Sequence, residues 1–161
     1  LKEEFIKEQI SSLLEGKWMH GPYWDYIKIF SVIYWQSQSF CAKRLKDLGV
    51  TCGQFMYILC ICDNPGISQE KVAESTCIDK STVAKAVQQL LQGGFITRQI
   101  SAEDRRVNEL YPTEKAKEIY PKIVEIIDSF NMGQLEGLTD IERDIFMRLL
   151  QKVFNHVKPK P

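Results

Sequence analysis

The chain has 161 residues, which is enough for one domain with helical extensions. Hydrophobic residues make up 44% and charged residues 26%, a balance typical of soluble globular proteins that excludes a disordered tail. The 21 basic residues equal the 21 acidic ones, which argues mildly against binding nucleic acid by bulk charge but allows a few cations gathered on one face. The longest apolar runs, such as Ile58 to Cys62, are too short to span a bilayer, so no membrane association is expected.

The N-terminus and the cysteines favour a cytoplasmic protein. The first ten residues are charged and amphipathic and lack the apolar stretch of a secretory signal. The start at Leu1 leaves room for residues before it. The odd set of five cysteines is Cys41, Cys52, Cys60, Cys62 and Cys77. Without an export signal, these are expected to be reduced thiols.

Two helices are expected before residue 50. Apolar residues at helical spacing over 5–14 predict a first helix that ends at Gly16. After Gly21-Pro22, apolar residues recur every three or four positions from Tyr23 to Leu48. This pattern predicts a long helix that stops at Gly49.

Three short helices and a hairpin are expected next, each marked by local signals. The helix starts are a capping box of Thr51 with Gln54, a cap at Ser68 and a cap at Asp79, and the breaks are Asn64-Pro65-Gly66, Thr76-Cys77-Ile78 and Gly93-Gly94. The hairpin consists of a β-rich segment 95–100, a polar tip 101–106 and a return strand 107–111.

Two further helices complete the predicted order. Thr113 caps a helix that runs to about Met132, with its pattern interrupted at Pro121. Thr139 and Glu142 form a second capping box that begins a helix to about Val157. The last four residues, 158–161, are expected to fray.

The helix that follows Asp79 has two contrasting faces. Its apolar face consists of Val83, Val87, Leu90 and Leu91, and its polar face of Ser81, Thr82, Lys85, Gln88, Gln89 and Gln92. The polar face contains no acid, and its side-chain types can contact bases and phosphates. Helices followed by a hairpin are the order of a winged helix-turn-helix, which presents such a face to a DNA groove. The alternative is an ordinary solvated face.

The hairpin tip carries the triplet Asp104, Arg105 and Arg106. An arginine there can enter the minor groove or hold a phosphate, and Asp104 can pin one arginine through a bidentate ion pair. Arg98 and Lys80 are further candidates for phosphate contacts. Charged hairpin tips are also common as simple solvent-exposed turns. The triplet indicates DNA binding only because it follows the polar helix.

The chain resembles the MarR family of transcriptional regulators. The matching residues are Leu48-Gly49-Val50-Thr51 with Gln54, Ser68 with Val72-Ala73, Lys80-Ser81-Thr82-Val83, Leu90 to Ile96 with Arg98, and Asp104-Arg105-Arg106 followed by Thr113. The resemblance covers about residues 25–157 and is specific in 48–116. Pro112 and Ala116 depart from the Leu and Gly that are usual in the family.

The resemblance implies a mainly α fold with a small β-hairpin wing, a winged helix-turn-helix whose N- and C-terminal helices form a dimerisation region. Its parts would be N-terminal helices 1–47 for dimerisation and the effector pocket, a DNA-binding domain 48–112, and C-terminal dimerisation helices 113–161. The protein would act as a repressor, binding a pseudo-palindromic operator in double-stranded DNA as a homodimer. The DNA contacts would come from Lys80, Ser81, Thr82, Lys85, Gln88, Gln89, Arg98, Asp104, Arg105 and Arg106.

Apolar residues of the C-terminal helices are consistent with a dimer, because the winged module is too small to bury all of them from solvent. They are Ile119, Ile123, Ile126, Ile127, Phe130, Ile145, Phe146, Leu149, Leu150, Val153 and Phe154. They indicate either a dimer seam or a core cap.

An effector is expected beside the aromatic-rich segment 18–35. The resemblance places its pocket where the long helix meets the helices that follow Thr51 and Thr113. The candidate pocket residues are Trp18, His20, Tyr23, Trp24, Tyr26, Phe30 and Phe55. An aromatic pocket with few polar groups suits a small phenolic, planar or apolar ligand. The alternative is that these aromatic residues are simply core.

The sequence leaves room for alternatives to this function. Cys41 and Cys52 flank a turn and could approach one another in an oxidant sensor, although buried, inert thiols are the usual state. A winged helix can also serve as a protein-interaction module without DNA binding. An enzyme is not expected, because His20 and His156 stand in no metal-ligand spacing and beside no nucleophile motif. No metal or cofactor is expected either.

Overall fold

The structure is a computed structural model that describes residues 26–157. The predicted helix over 5–14, the tail 158–161 and four candidate pocket residues lie outside the described residues. Those four are Trp18, His20, Tyr23 and Trp24. The chain divides into two compact units, 1–43 and 44–161. The described part contains six α-helices and a three-stranded antiparallel sheet, as the predicted fold class requires.

Helix α1 (Tyr26–Leu45) contains the described residues of the first unit, 26–43. A 3₁₀ turn, Lys46–Leu48, follows it, and the helical segment then ends at Gly49 as predicted. The N–H of Gly49 donates to the Lys46 carbonyl at 3.0 Å, and the φ of Gly49 is +71°. A side chain would strain this left-handed backbone, so the glycine ends the helix.

Three short helices open the second unit: α2 (Phe55–Asp63), α3 (Gln69–Thr76) and α4 (Lys80–Gln92). Two of their predicted caps are confirmed. Ser68 Oγ accepts a hydrogen bond from the N–H of Lys71 at 3.2 Å, and Asp79 Oδ1 accepts one from the N–H of Thr82 at 2.9 Å. Each bond satisfies a backbone donor that has no partner within the helix itself.

The predicted helix start at Thr51 is wrong, since α2 begins a full turn later, at Phe55. Half of the capping box does form, because Gln54 Oε1 accepts a hydrogen bond from the N–H of Thr51 at 3.0 Å. The N–H groups of both Gln54 and Phe55 donate to the Thr51 carbonyl, at 2.9 and 3.2 Å. These bonds close residues 51–54 into a turn rather than the first turn of a regular helix.

The sheet has the strand order β1-β3-β2, with β1 (Ile67–Ser68), β2 (Ile96–Ile100) and β3 (Asn108–Pro112). Ile67 of β1 and Arg98 of β2 both lie opposite Leu110 of β3. The hairpin is confirmed, with its second strand shifted by one residue from the prediction. Strand β1 was not predicted, because two residues are too few to show an alternating pattern.

The core of the second unit lies between α2, α3, α4 and the sheet. Its fully buried side chains include Ile58, Ile61, Val72, Val83, Val87, Leu90, Leu110 and Ile123. The predicted apolar face of α4 is confirmed except at Leu91, which is only half-buried while Ala86 is buried. Burying each large aliphatic side chain contributes about 1.5–3 kcal/mol, so this face holds α4 in a fixed orientation.

Helices α5 (Glu114–Leu135) and α6 (Asp140–Val157) complete the described chain. The second capping box is confirmed: the N–H of Thr139 donates to Glu142 Oε2 at 2.8 Å, and the N–H of Glu142 donates to Thr139 Oγ1 at 3.4 Å. Helix α5 continues beyond the predicted end at Met132 and contains Pro121. No helix among residues 26–157 is both long and apolar enough to cross a membrane.

Helix α6 buries none of its side chains within the single chain. Ile145, Leu149 and Phe154, predicted for the dimer seam, are 50%, 55% and 45% exposed. Ile123 of α5, by contrast, is fully buried and belongs to the core of its own chain. The residues predicted for a dimer seam or a core cap therefore differ: Ile123 lies in the core, the other predicted residues of α5 are half-buried, and α6 keeps an exposed apolar face.

Candidate nucleic-acid interface

The polar face of α4 is exposed along its whole length. Its six residues are Ser81, Thr82, Lys85, Gln88, Gln89 and Gln92. The opposite face carries Val83, Val87 and Leu90, all with 0% exposure. Because the buried face cannot turn without opening the core, the helix presents a fixed, acid-free set of hydrogen-bonding groups.

Asp79 organises the start of this face. Its Oδ1 accepts the hydroxyl hydrogen of Ser81 at 2.6 Å and the N–H of Thr82 at 2.9 Å. The bond from Ser81, followed by those from Thr82, holds the pKa of Asp79 well below its ordinary value. Ser81 therefore donates its hydroxyl to the helix cap, while its oxygen still offers lone pairs to an outside donor.

Lys80 does not stand alone at the start of α4. Its ammonium group forms an exposed ion pair with Glu70 of α3. The pair raises the pKa of Lys80 and lowers the pKa of Glu70. This contact ties the two helices of the helix-turn-helix together, so a phosphate would have to share Lys80 with an acid. The role of Glu70 could not be predicted from the sequence, because Glu70 and Lys80 lie 10 positions apart on different helices.

Three other predicted cations have no such partner. Lys85, Arg98 and Arg105 are exposed, and none of them makes an ion pair with the part of the chain that the structure describes. Lys85 lies on α4, Arg98 on β2 and Arg105 in the tip of the hairpin. Their positive charge is available to an outside anion without breaking an internal bond.

The hairpin tip holds one of its two arginines firmly. Arg106 donates to Asp104 through its backbone N–H at 2.9 Å, through Nε to Oδ1 at 3.2 Å and through Nη2 to Oδ2 at 3.3 Å. The predicted bidentate ion pair of Asp104 therefore forms, and its partner is Arg106 rather than Arg105. These bonds lower the pKa of Asp104. Since the pair is exposed, it orders the loop more than it stabilises the fold.

The end of α4 is tied to the start of α5. Lys115 Nζ donates to the carbonyl of Gly93 at 2.8 Å and lies 4.0 Å from the centre of the Phe95 ring. Thr113 Oγ1 donates to the carbonyl of Gly94 at 2.8 Å. A cation beside the last carbonyls of a helix is favourable because it meets their negative partial charge. The contacts of Lys115 could not be predicted from the sequence, because its partners Gly93 and Phe95 lie about 20 residues earlier.

The structure places three of the predicted pocket residues. Tyr26 and Phe30 lie together on α1 of the first unit, with ring centroids 4.7 Å apart. Their exposed fractions are 45% and 40%. Phe55 begins α2 in the second unit and is half-buried. The aromatic pair on α1 is thus accessible within its own unit, and the predicted pocket stays a prediction.

The cysteine environments differ. Burial, reinforced by the charge of Asp63, raises the pKa of Cys62 to about 11 and also raises that of Cys60. Both thiols therefore stay protonated at neutral pH, which slows oxidation. Cys41 is buried, whereas Cys77 is exposed at the turn before α4. No group of three metal-ligating side chains occurs within residues 26–157.

Comparison with known proteins identifies relatives of this arrangement. The sequence profile of the MarR family matches residues 50–107. The uncharacterized HTH-type transcriptional regulator YybA of Bacillus subtilis is 35% identical over 115 residues, which cover 71% of this chain and 77% of that protein. The HTH-type transcriptional regulator BilQ of Clostridium symbiosum is 30% identical, over 71% of this chain and 79% of that one.

Solved structures agree with the sequence relatives. The crystal structure of the transcriptional regulator SlyA superposes with a TM-score of 0.80 and 34% identity, covering 83% of this chain and 94% of that chain. The structure of a putative MarR family transcriptional regulator from Listeria monocytogenes, crystallised with a 26mer DNA, superposes with a TM-score of 0.78 and 30% identity. The match covers 83% of this chain and 89% of that chain. These relatives are regulators rather than enzymes, as the sequence predicted. The chain belongs to the MarR family of winged helix-turn-helix transcriptional regulators.

Proposed function

We propose that this protein is a repressor that binds an inverted-repeat operator in double-stranded DNA as a homodimer. The observation that carries the proposal is the exposed, acid-free polar face of α4, held in place by its fully buried apolar face. The Listeria monocytogenes relative, crystallised with a 26mer DNA, supports the same use of the fold.

The proposal divides the work between helix and wing. On α4, Ser81, Thr82, Lys85, Gln88 and Gln89 contact base edges in the major groove. In the wing, Arg105 reaches the flanking minor groove or backbone while Asp104 holds Arg106 beside it. Lys80 and Arg98 supply further phosphate contacts. With the net charge at +0, binding rests on where these few cations lie and not on bulk charge.

A homodimer supplies the second recognition helix. The apolar face of α6, with Ile145, Leu149 and Phe154 about half exposed, supports an interface with a second copy. Two-fold symmetry then requires half-sites about one helical turn, roughly 34–36 Å, apart on the DNA.

A small aromatic or apolar effector is proposed to release the dimer from DNA. The accessible pair Tyr26 and Phe30, in an aromatic-rich segment, supports a ligand of this chemistry. The ligand would favour a separation or tilt of the two recognition helices that fits the operator poorly, since it can shift the equilibrium only by binding that state better.

The test is a fluorescence-anisotropy titration with DNA from upstream of the protein's own gene, at two salt concentrations. A scrambled duplex of equal length is the control, and the protein is first refolded and dialysed to remove any carried ligand. We expect selective binding that weakens steeply with salt, with a log–log slope of about −0.9 for each phosphate contact. Equally weak binding to both duplexes would overturn the proposal and favour a protein-interaction module.

A further inference from the structure

A chain of two hydrogen bonds joins the backbone before α2 to the polar face of α4. The N–H of Thr51 donates to Gln54 Oε1 at 3.0 Å, and Gln54 Nε2 donates to Gln89 Oε1 at 3.4 Å. Gln54 is half-buried, whereas Gln89 is exposed on the face proposed to meet DNA.

The first bond fixes the orientation of both amides. A backbone N–H can only donate, so the oxygen of Gln54 must face Thr51 and its NH₂ group must face Gln89. Gln89 must then turn its own oxygen toward Gln54 to accept that bond. Its NH₂ group then lies on the side of the amide away from Gln54 and carries two N–H donors.

We propose that Gln54 is a positioning residue that makes Gln89 read the operator through its NH₂ group. The inference rests on the proposed DNA binding by α4 and specifies which base Gln89 selects. An unconstrained glutamine pairs with adenine through both its oxygen and its NH₂ group. With the oxygen turned toward Gln54, the NH₂ group is the part of the amide left to meet a base, and it matches acceptors best: O6 and N7 of guanine, or O4 of thymine. Adenine also offers N7, but its N6 amino group then finds no oxygen of Gln89 turned toward it.

Lys85 strengthens this selection. It lies one turn before Gln89 on the same exposed face and makes no ion pair with any of residues 26–157. An ammonium group also carries donors only. The two neighbouring side chains together present donors to consecutive positions in the groove, which favours a guanine- or thymine-bearing strand there.

The test is the substitution Gln54→Glu, which reverses the second bond while keeping the first. Glutamate is a natural partner in a capping box, so one carboxylate oxygen still accepts from Thr51. The other oxygen must accept from Gln89, whose amide then rotates and presents its oxygen to DNA. We expect the preference at the base pair read by Gln89 to shift from guanine or thymine toward adenine or cytosine, by about tenfold.

The measurement compares four operators that differ only at one symmetric base pair, titrated at one salt concentration. Ratios between operators cancel the uniform loss of affinity that the added negative charge causes. Gln89→Ala in the unmodified protein identifies the base pair, because it removes the preference there. Thermal unfolding of each variant checks that it folds.

Gln54→Met is the matched control of similar length without hydrogen-bonding groups. It frees Gln89 to rotate, so discrimination against adenine should be lost without being reversed. This variant also carries the test if Gln54→Glu fails to fold. An unchanged ratio in both Gln54 variants, or no effect of Gln89→Ala at any base pair, would overturn the inference. Failure of the unmodified protein to select any operator would instead overturn the proposed function.

Discussion

Lys115 Nζ lies 2.8 Å from the carbonyl oxygen of Gly93, the residue that caps the end of α4. The same ammonium group lies 4.0 Å from the centre of the Phe95 ring. Since Lys115 belongs to the first turn of α5, one side chain joins the end of α4 to the long helix after the hairpin. A displacement of α5 would therefore act on the end of α4 directly through this side chain.

Replacing Lys115 with methionine should lower the melting temperature, because the terminal carbonyls of α4 lose a charged donor and Phe95 loses its cation. The expected change is about 1–3 °C, followed by circular dichroism. Lys117→Met is the control, since the ion pair that Lys117 makes within residues 26–157 is with exposed Glu114 and such pairs contribute little. Equal losses in both variants would contradict a specific role for Lys115.

Lys85→Ala and Arg105→Ala should weaken DNA binding in different ways. Lys85→Ala should change both affinity and base preference, because its exposed ammonium group is proposed to meet base edges. Arg105→Ala should weaken all sites about equally and reduce the salt slope by about 1, as expected for a backbone contact. Anisotropy titrations against the operator and single-base variants measure both effects. If Arg105→Ala left every affinity untouched, the wing assignment would fail.

Asp79 should make stability depend on pH. Its folded-state pKa lies below the ordinary value of 3.8, so its stabilisation is fully present above that value. It is lost as pH falls through the depressed folded-state pKa. The stability gap between the unmodified protein and Asp79→Ala should thus be largest at neutral pH and shrink at strongly acid pH. Asp79→Asn, which can still accept the cap bond, is the control and should lose less at neutral pH. A gap that stayed constant in thermal melts from pH 7 to pH 2 would refute this account.

Leu149→Lys should convert the protein to monomers. Leu149 is 55% exposed in the single chain, so the change leaves the core intact, but a second copy packed there would have to bury a charge. Sedimentation velocity at micromolar concentration measures the result. Gln151→Lys, on the opposite side of α6, adds the same charge and should leave the dimer in place. A Leu149→Lys protein that remained dimeric would place the interface elsewhere.

Local sequence patterns predicted most of the secondary structure because they depend on neighbours within one turn. The caps at Ser68 and Asp79 and the box of Thr139 with Glu142 form as expected. The polar and apolar faces of α4 also follow from helical geometry alone. The ion pair between Asp104 and an arginine of the hairpin tip was predictable for the same reason, since only one residue separates Asp104 from Arg106.

Tertiary structure decided everything that joins distant parts of the chain. Strand β1 exists because Ile67 lies opposite Leu110, and the late start of α2 reflects how the turn at Thr51 closes. The bond from Gln54 to Gln89 spans 35 positions. Periodicity and capping rules carry no information about such pairs, because the pairs form only once buried faces have packed and oriented the helices. The sequence by itself determined which face of α4 would be polar, and the fold decided which atoms of that face are bonded to other residues of the chain.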